Sequence, residues 1–261
     1  MTAPAPALPH TLERSVVIRA QPEIVFRFFT DSMRFASWWG EGSSIEARPG
    51  GAVRIVYPGG VLATGSVVSV NPVKRISFTY GYESQNRELV PPGGSLVTIS
   101  LEPHPEGTMV RLKHDLPTAA AREAHVGGWR YQLALFANVV AREAHGGAES
   151  LVDRYFAVWS ETDAARRHAE LAAVATGDLV FRDGFGATAS PADLAEHIGA
   201  AQMHMSVLRI EREGVLRQCQ GTGVADWVAR APDGTVAARG CNVFDFAPDG
   251  RLARVVGLWA R

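Results

Sequence analysis

The sequence predicts an α+β protein with two domains of different architecture. In the first half, strand-like segments end in one long amphipathic helix, predicted over 118–144. In the second half the order inverts, because helices come first and strands continue to the C-terminus. The pattern restarts at Gly146-Gly147, and 261 residues suit two domains of about 100–150 residues each. We therefore predict a disordered tail rich in proline and alanine over 1–11, a first domain over 12–145 and a second over 146–261.

Composition excludes several classes of function. Lys+Arg 26 against Asp+Glu 27 leaves a net charge of -1, so no overall field attracts nucleic acid or anionic lipid. No apolar run approaches the roughly 18 residues of a membrane span, and the first ten residues do not have the pattern of a signal peptide. We expect a cytoplasmic protein with no nucleic-acid or membrane partner. No metal-ligand or nucleotide motif is visible, so we assign no metal and no cofactor.

The elements of the first half follow from periodicity and turn residues. A strand over 12–20 is broken before Pro22, which suits the first position of a helix. Two short helices with aromatic faces follow, and Gly40 suits the end of the second. Turns rich in glycine and proline then separate six predicted strands, over 44–48, 53–57, 63–70, 75–82, 95–101 and 108–113. Apolar residues of the last helix recur every three or four positions, which predicts that the helix packs across the sheet.

This first half resembles a known superfamily. The resemblance lies in FTDSMRFASWWG at 29–40, EARPGGAVRI at 46–55, VVSVNPVKRISFTY at 67–80, RLKHDLP at 111–117 and GGWRYQLALFANV at 127–139. These segments are similar to the START-like (SRPBCC) superfamily, above all to bacterial relatives of the activator of the heat-shock-protein-ninety (Hsp90) ATPase. The resemblance implies a helix-grip fold with a cavity between the sheet and the long helix.

Aromatic residues and one histidine are the candidate ligand contacts of that cavity. We expect its walls to include Trp38, Trp39, Tyr80, Tyr82 and Trp129, with His114 at its mouth. The alternative is plain core packing, since a small domain needs large side chains to build a core.

The second half predicts three helices against a strongly curved sheet, which together make a cone-shaped α+β barrel with one open end. Helices are predicted over 150–160 and 163–173, and Ser190 suits the N-cap of a third that begins at Pro191. Strands are predicted over 179–182, 206–211, 215–220, 223–230, 235–246 and 252–259, with two APDG turns joining the last three.

This layout resembles the SnoaL-like, nuclear-transport-factor-two-like superfamily. The resemblance lies in the helix ending at Trp159, in LVFRDGFG at 179–186 and in VFDFAPDGRLARVVGLW at 243–259. In the ketosteroid-isomerase branch, a tyrosine and a neutral carboxylic acid stabilise an enolate while a carboxylate moves the proton. The resemblance places Tyr155 as the phenol, Asp183 as the base and Asn242 where the second acid would be. Asp183 also has a plainer interpretation, as a turn residue before Gly184.

Three functions remain open from the sequence. The first is a two-domain protein that binds a small hydrophobic or aromatic ligand in the START-like half, linked to detoxification or secondary metabolism. The second is an enzyme that uses the SnoaL-like pocket for proton transfer, as an isomerase, cyclase or dehydratase. The third is a chaperone cofactor or scaffold. The second resemblance also implies a homodimer through the C-terminal domain.

Overall fold

The computed structural model describes residues 7–204 and 208–260, and the chain divides into two compact units, Met1–Val140 and Ala141–Arg261. Both units mix helices and strands, so the predicted α+β class is confirmed. The predicted tail over 1–11 overlaps the first strand, which already begins at His10. Residues 1–6 of that tail, and residues 206–207 of a predicted strand, lie outside the described residues.

The first unit is an antiparallel sheet with helices inserted after the first strand and one long helix at the end. Its strands are β1 His10–Ile18, β2 Ser44–Ile45, β3 Ala52–Val56, β4 Leu62–Asn71, β5 Arg75–Tyr82, β6 Ser95–His104 and β7 Gly107–Leu116. Its helices are α1 Pro22–Arg27, α2 Ser32–Trp39 and α3 Ala119–Ala144. The strand order is β1-β7-β6-β5-β4-β3-β2, so the first strand pairs with the last.

Local chemistry sets the short helices that carry the tryptophans. The Asp31 carboxylate accepts a hydrogen bond from the backbone N–H of Arg34 at 2.9 Å and caps α2. Gly40 ends α2, as predicted, with a φ of 150°. A Cβ at Gly40 would lie 2.3 Å from the carbonyl oxygen of Val56, so the close approach of β3 requires glycine there.

The second unit places two helices before a six-stranded sheet and inserts a third helix among its strands. Its helices are α4 Ala148–Val158, α5 Ala164–Val174 and α6 Pro191–His204. Its strands are β8 Ala175–Arg182, β9 Ala187–Thr188, β10 Arg209–Cys219, β11 Thr222–Arg230, β12 Val236–Phe246 and β13 Leu252–Trp259. The order is β10-β11-β12-β13-β8-β9, and only the β13–β8 pair among these described neighbours is parallel.

One feature of this unit differs from the prediction, and another agrees with it. The two strands predicted over 206–211 and 215–220 are one strand, β10, whose register shifts between Glu213 and Arg217. The Ser190 hydroxyl accepts a hydrogen bond from the N–H of Asp193 at 3.0 Å, which confirms the predicted N-cap of α6.

Candidate functional site

The six predicted ligand contacts of the first unit meet in one cluster. They are Trp38 and Trp39 from α2, Tyr80 and Tyr82 from β5, His114 from β7 and Trp129 from α3. Ring centroids of neighbouring members lie between 4.4 and 5.9 Å apart. All are buried except Tyr82, which is half-buried. These side chains therefore pack against one another, and a ligand among them stays a prediction.

His114 does not lie at a mouth, which corrects the expectation from the sequence. Its side chain is 0% exposed because β7 continues to Leu116 and carries His114 on the buried face. The indole Nε1–H of Trp129 donates to His114 Nδ1 at 2.9 Å, so Nδ1 carries no proton. His114 Nε2–H donates to Ser95 Oγ at 2.8 Å. Burial, followed by the nearby His125, lowers the pKa of His114 to about 3, which keeps the imidazole neutral.

A second buried histidine faces the first. The His125 ring lies 5.0 Å from the His114 ring, and its Nδ1–H donates to the carbonyl of Ala121 at 2.7 Å. The remaining Nε2 accepts from the hydroxyl of Tyr82 at 3.3 Å. Burial lowers the pKa of His125 as well, although its bond to the Ala121 carbonyl opposes this. Both imidazoles are therefore held as neutral tautomers inside the first unit.

A pocket in the second unit has almost entirely apolar walls and a volume of about 280 Å³. Aromatic rings from three segments cover it: Trp159 after α4, Phe185 after β8 and Trp259 at the end of β13. Helix α6 contributes Ile198 and Ala201 to the wall. This volume lies just below the range of about 300–1,000 Å³ for small-molecule sites, so the pocket suits a small compound.

Asp183 carries the only carboxylate among the described residues of this wall. Its Oδ1 accepts from the backbone N–H groups of Phe185 at 2.8 Å and Gly186 at 2.9 Å, which fixes the turn after β8. Its Oδ2 lies 3.5 Å from the indole nitrogen of Trp259, a long contact that leaves this oxygen available as an acceptor.

Asn242 and Asp183 meet at a smaller cavity that shares part of the same wall. This cavity, of about 20 Å³, is lined by both residues and by Trp227. A Cβ at Gly257 would lie 3.2 Å from Asp183 Cβ and 3.3 Å from Asn242 Oδ1, so glycine lets the two side chains approach. Trp227 Nε1–H donates to Asn242 Oδ1 at 2.9 Å. The amide is therefore oriented, and its NH₂ group remains to donate.

Tyr155 is buried behind the walls of these cavities and does not itself line them. Its ring lies against Phe156 and Phe244, and its hydroxyl is fully buried without a hydrogen bond of normal geometry among the described residues. Burial raises the pKa of this phenol; Trp159, four residues along the chain, partly offsets the rise and Asp183 adds to it. The structure thus brings Asp183 and Asn242 together, while Tyr155 is not among the residues that line either cavity.

Comparison with known proteins identifies the first unit. Residues 19–141 match the family model described as "Activator of Hsp90 ATPase homolog 1-like protein". Residues 19–141 form an AHSA1-like domain. A search of curated proteins gives no match to the chain.

Solved structures similar to the chain come from both families that the sequence resembles. An AHSA1-like protein from Rhizobium etli is 34% identical, covering 51% of this chain and 84% of its own, with a TM-score of 0.41. The Aha1 dimer from Colwellia psychrerythraea is 19% identical, covering 48% and 92%, with a TM-score of 0.40. A SnoaL-like family protein from Agrobacterium tumefaciens is 23% identical, covering 46% and 99%, with a TM-score of 0.42.

Two residues of these candidate sites were not predicted from the sequence. In the AHSA1-like domain, His125 completes the buried polar cluster, and its spacing of four from Trp129 on α3 was the available signal. In the second unit, His197 lines the larger pocket, where its ring contacts those of Trp159 and Phe181. Within the described ranges, no cluster of side chains suits a metal ion, and no helix is long and apolar enough to cross a membrane.

Proposed function

We propose that the second unit binds a small, mainly apolar molecule in the pocket beside Asp183. The observation that carries this proposal is an apolar cavity of about 280 Å³ with one carboxylate oxygen left to accept a hydrogen bond or meet a charge. The turn that presents Asp183 is held by two backbone hydrogen bonds, so the carboxylate is positioned before a ligand arrives.

The test is a thermal-shift screen of the full chain against small aromatic and aliphatic compounds. A ligand at one hundred times its dissociation constant stabilises the native state by about 2.7 kcal/mol. Ala201→Trp fills the pocket and should abolish the shift, because Ala201 lines its wall. Ala192→Trp, at an exposed position of the same helix, is the matched control and should retain it. An equal shift in the filled variant, or no shift with any compound, contradicts the proposal.

A second candidate function is proton transfer by a SnoaL-like enzyme. Its support is the pairing of Asp183, as base, with the Asn242 NH₂ group, which is left to stabilise a developing oxyanion. The role of Tyr155 as the phenol that stabilises the enolate stays a prediction, since its ring packs against Phe156 and Phe244 and lines neither cavity. Asp183→Asn should abolish turnover of a bound substrate while leaving its affinity within a few-fold, and surviving turnover excludes this function.

The AHSA1-like domain carries a separate proposal of its own, a hydrophobic or aromatic ligand among its aromatic residues. Its support is the indole nitrogen of Trp39, which is buried without a hydrogen-bond partner among the described residues, while the Trp39 ring contacts that of half-buried Tyr57. A ligand acceptor at Trp39 Nε1 would shift the resonance of that indole proton on titration. No indole shift in the AHSA1-like domain with any screened compound removes this site.

Domain limits and assembly also remain proposals. We propose that residues 12–145 and 146–261 are independent domains, which expression of each segment tests directly. A homodimer through the second unit is supported by the exposed Leu258 on β13, and sedimentation of the full chain against Leu258→Ser measures it. A chaperone cofactor or scaffold is the conclusion if every ligand screen is negative.

A further inference from the structure

The Asp183 carboxylate has no positive partner in the part of the chain that the structure describes. It is half-buried at the apolar wall, and its contacts are two backbone N–H groups and the indole of Trp259. Carboxylates withdrawn from water are usually paired with a cation, because desolvation of an isolated charge is costly. The pocket therefore contains a negative charge without the cation that would balance it.

The other polar side chains of the wall form no ion pair with Asp183 in the described ranges. The ring of His197 lies against those of Trp159 and Phe181. Gln202 Nε2 donates to the carbonyls of Trp159 at 2.9 Å and Glu161 at 3.2 Å. Gln202 Oε1 accepts from Arg167 at 3.3 Å, so both ends of the amide are occupied. Arg167 does not line the pocket, and its guanidinium also donates to the carbonyls of Ala195 and Glu161. The nearby guanidinium is thus committed to Gln202 and backbone oxygens.

Aromatic faces surround the same carboxylate. Trp259 contacts Asp183 and lies perpendicular to Phe185, with ring centroids 5.1 Å apart. Trp159 forms another part of the wall. Phe185 is 69% exposed although its aromatic ring is large and apolar. The faces of indole and benzene rings carry negative potential and attract organic cations, so these rings favour the same charge as the carboxylate.

We propose that this pocket selects an organic cation, an alkyl- or arylammonium compound whose charged group lies against Asp183. The apolar remainder of the compound fills the cavity between α6 and Trp159, while Phe185 and Trp259 cover the ammonium group. The inference rests on the proposed function, because it names the ligand class of the same pocket. It adds the sign of the ligand's charge, which apolar walls alone do not specify.

A pair of matched compounds tests the charge separately from the shape. Phenyltrimethylammonium and tert-butylbenzene have the same shape and differ by one positive charge. Both are titrated into the full chain while the indole N–H resonances of Trp159 and Trp259 are followed by NMR. The cation should bind more tightly than its neutral isostere by about tenfold or more, the effect of one partly desolvated charge pair.

Two variants assign the preference to the proposed groups. Asp183→Asn retains an oxygen that can accept from Phe185 and Gly186, so the turn should persist while the charge is lost. In this variant the preference for the cation should fall to roughly the threefold that the aromatic faces supply. Phe185→Leu keeps apolar area at an exposed position but removes the aromatic face, and it should weaken the cation alone by roughly threefold.

The outcomes separate this inference from the function on which it rests. If neither compound shifts the indole resonances and the wider screen is also silent, the proposed pocket function fails. If tert-butylbenzene binds as well as the cation, the pocket function stands and the charge selection is overturned. A preference for the cation that is undiminished in Asp183→Asn overturns the role of this carboxylate.

Discussion

Lowering the pH should destabilise the AHSA1-like domain through its buried histidine pair. Burial lowers the pKa of His114 to about 3, against an ordinary value of 6.5. Below pH 6.5 the unfolded chain therefore binds a proton at this residue that the folded chain does not. The contribution of the neutral His114 to the free energy of unfolding is complete above pH 6.5 and is lost progressively as the pH falls toward 3. Each pH unit costs about 1.4 kcal/mol, so His114 alone removes about 2 kcal/mol between pH 7 and pH 5.

Amide hydrogen exchange of β6 and β7 in the intact chain measures this loss without interference from the second unit. After correction for intrinsic rates, about 2 kcal/mol corresponds to roughly thirtyfold faster exchange at pH 5 than at pH 7. In His114→Gln, the slope of the unfolding free energy against pH should fall by about 1.4 kcal/mol per pH unit between pH 6.5 and 5. His125, whose pKa is also lowered, leaves a smaller slope of the same sign.

Leu112→Ala provides the matched control for lost packing. It leaves a cavity on the same face of β7 as His114 but keeps every titratable group and the Trp129–His114 hydrogen bond in place. This variant should be less stable at each pH while keeping the slope of the wild-type chain. A wild-type slope in His114→Gln, or an imidazole of His114 that titrates near pH 6.5, refutes the reasoning.

Three further substitutions test local packing. Trp227→Phe removes the donor to Asn242 and leaves a buried carbonyl unpaired, so urea unfolding should show a loss of about 1–3 kcal/mol. Gly186→Ala would place a Cβ 2.6 Å from the imidazole of His197 in the pocket wall, so it should weaken ligand binding in the pocket titration. Gly184→Ala, which has open space around it, should leave binding unchanged. Gly128→Ala, at an exposed position inside α3 with nothing within 4 Å, should raise the unfolding free energy by about 0.5–1 kcal/mol.

The order of elements was predictable because it depends on local signals. Gly40 and Ser190 occupy the helix ends predicted for them, since a close backbone approach and an N-cap hydrogen bond are short-range requirements. The sequence predicts two strands where β10 is one, since Gly214 lies between two strand-like segments and a glycine there resembles a turn. In the structure Gly214 has a φ of 78° and lies where the register of β10 shifts. The parallel pairing of β13 with β8 left no local signal, because it joins segments far apart in the chain.

The location of His114 shows how one strand end alters a functional interpretation. A strand ending at 113 places His114 outside the sheet, at the rim of a cavity. The observed strand continues to Leu116, and alternation then places His114 on the same face as Leu112 and Val110. The alternation was visible in the sequence, but a histidine followed by an aspartate resembles a solvated strand end. Asp115, on the opposite face, instead accepts from Thr11 and Lys113.

The interpretation of Asp183 as a turn residue accounts for one of its two oxygens, and the role of the other oxygen toward a ligand stays a prediction. Oδ1 accepts from Phe185 and Gly186, as a turn residue requires. Those bonds fix the carboxylate plane, and Oδ2 is then directed toward Trp259 at the pocket wall. The structural role of one oxygen therefore positions the other for a ligand. For this reason Asp183→Asn is a sharper test than Asp183→Ala, since only the asparagine can preserve the turn while removing the charge.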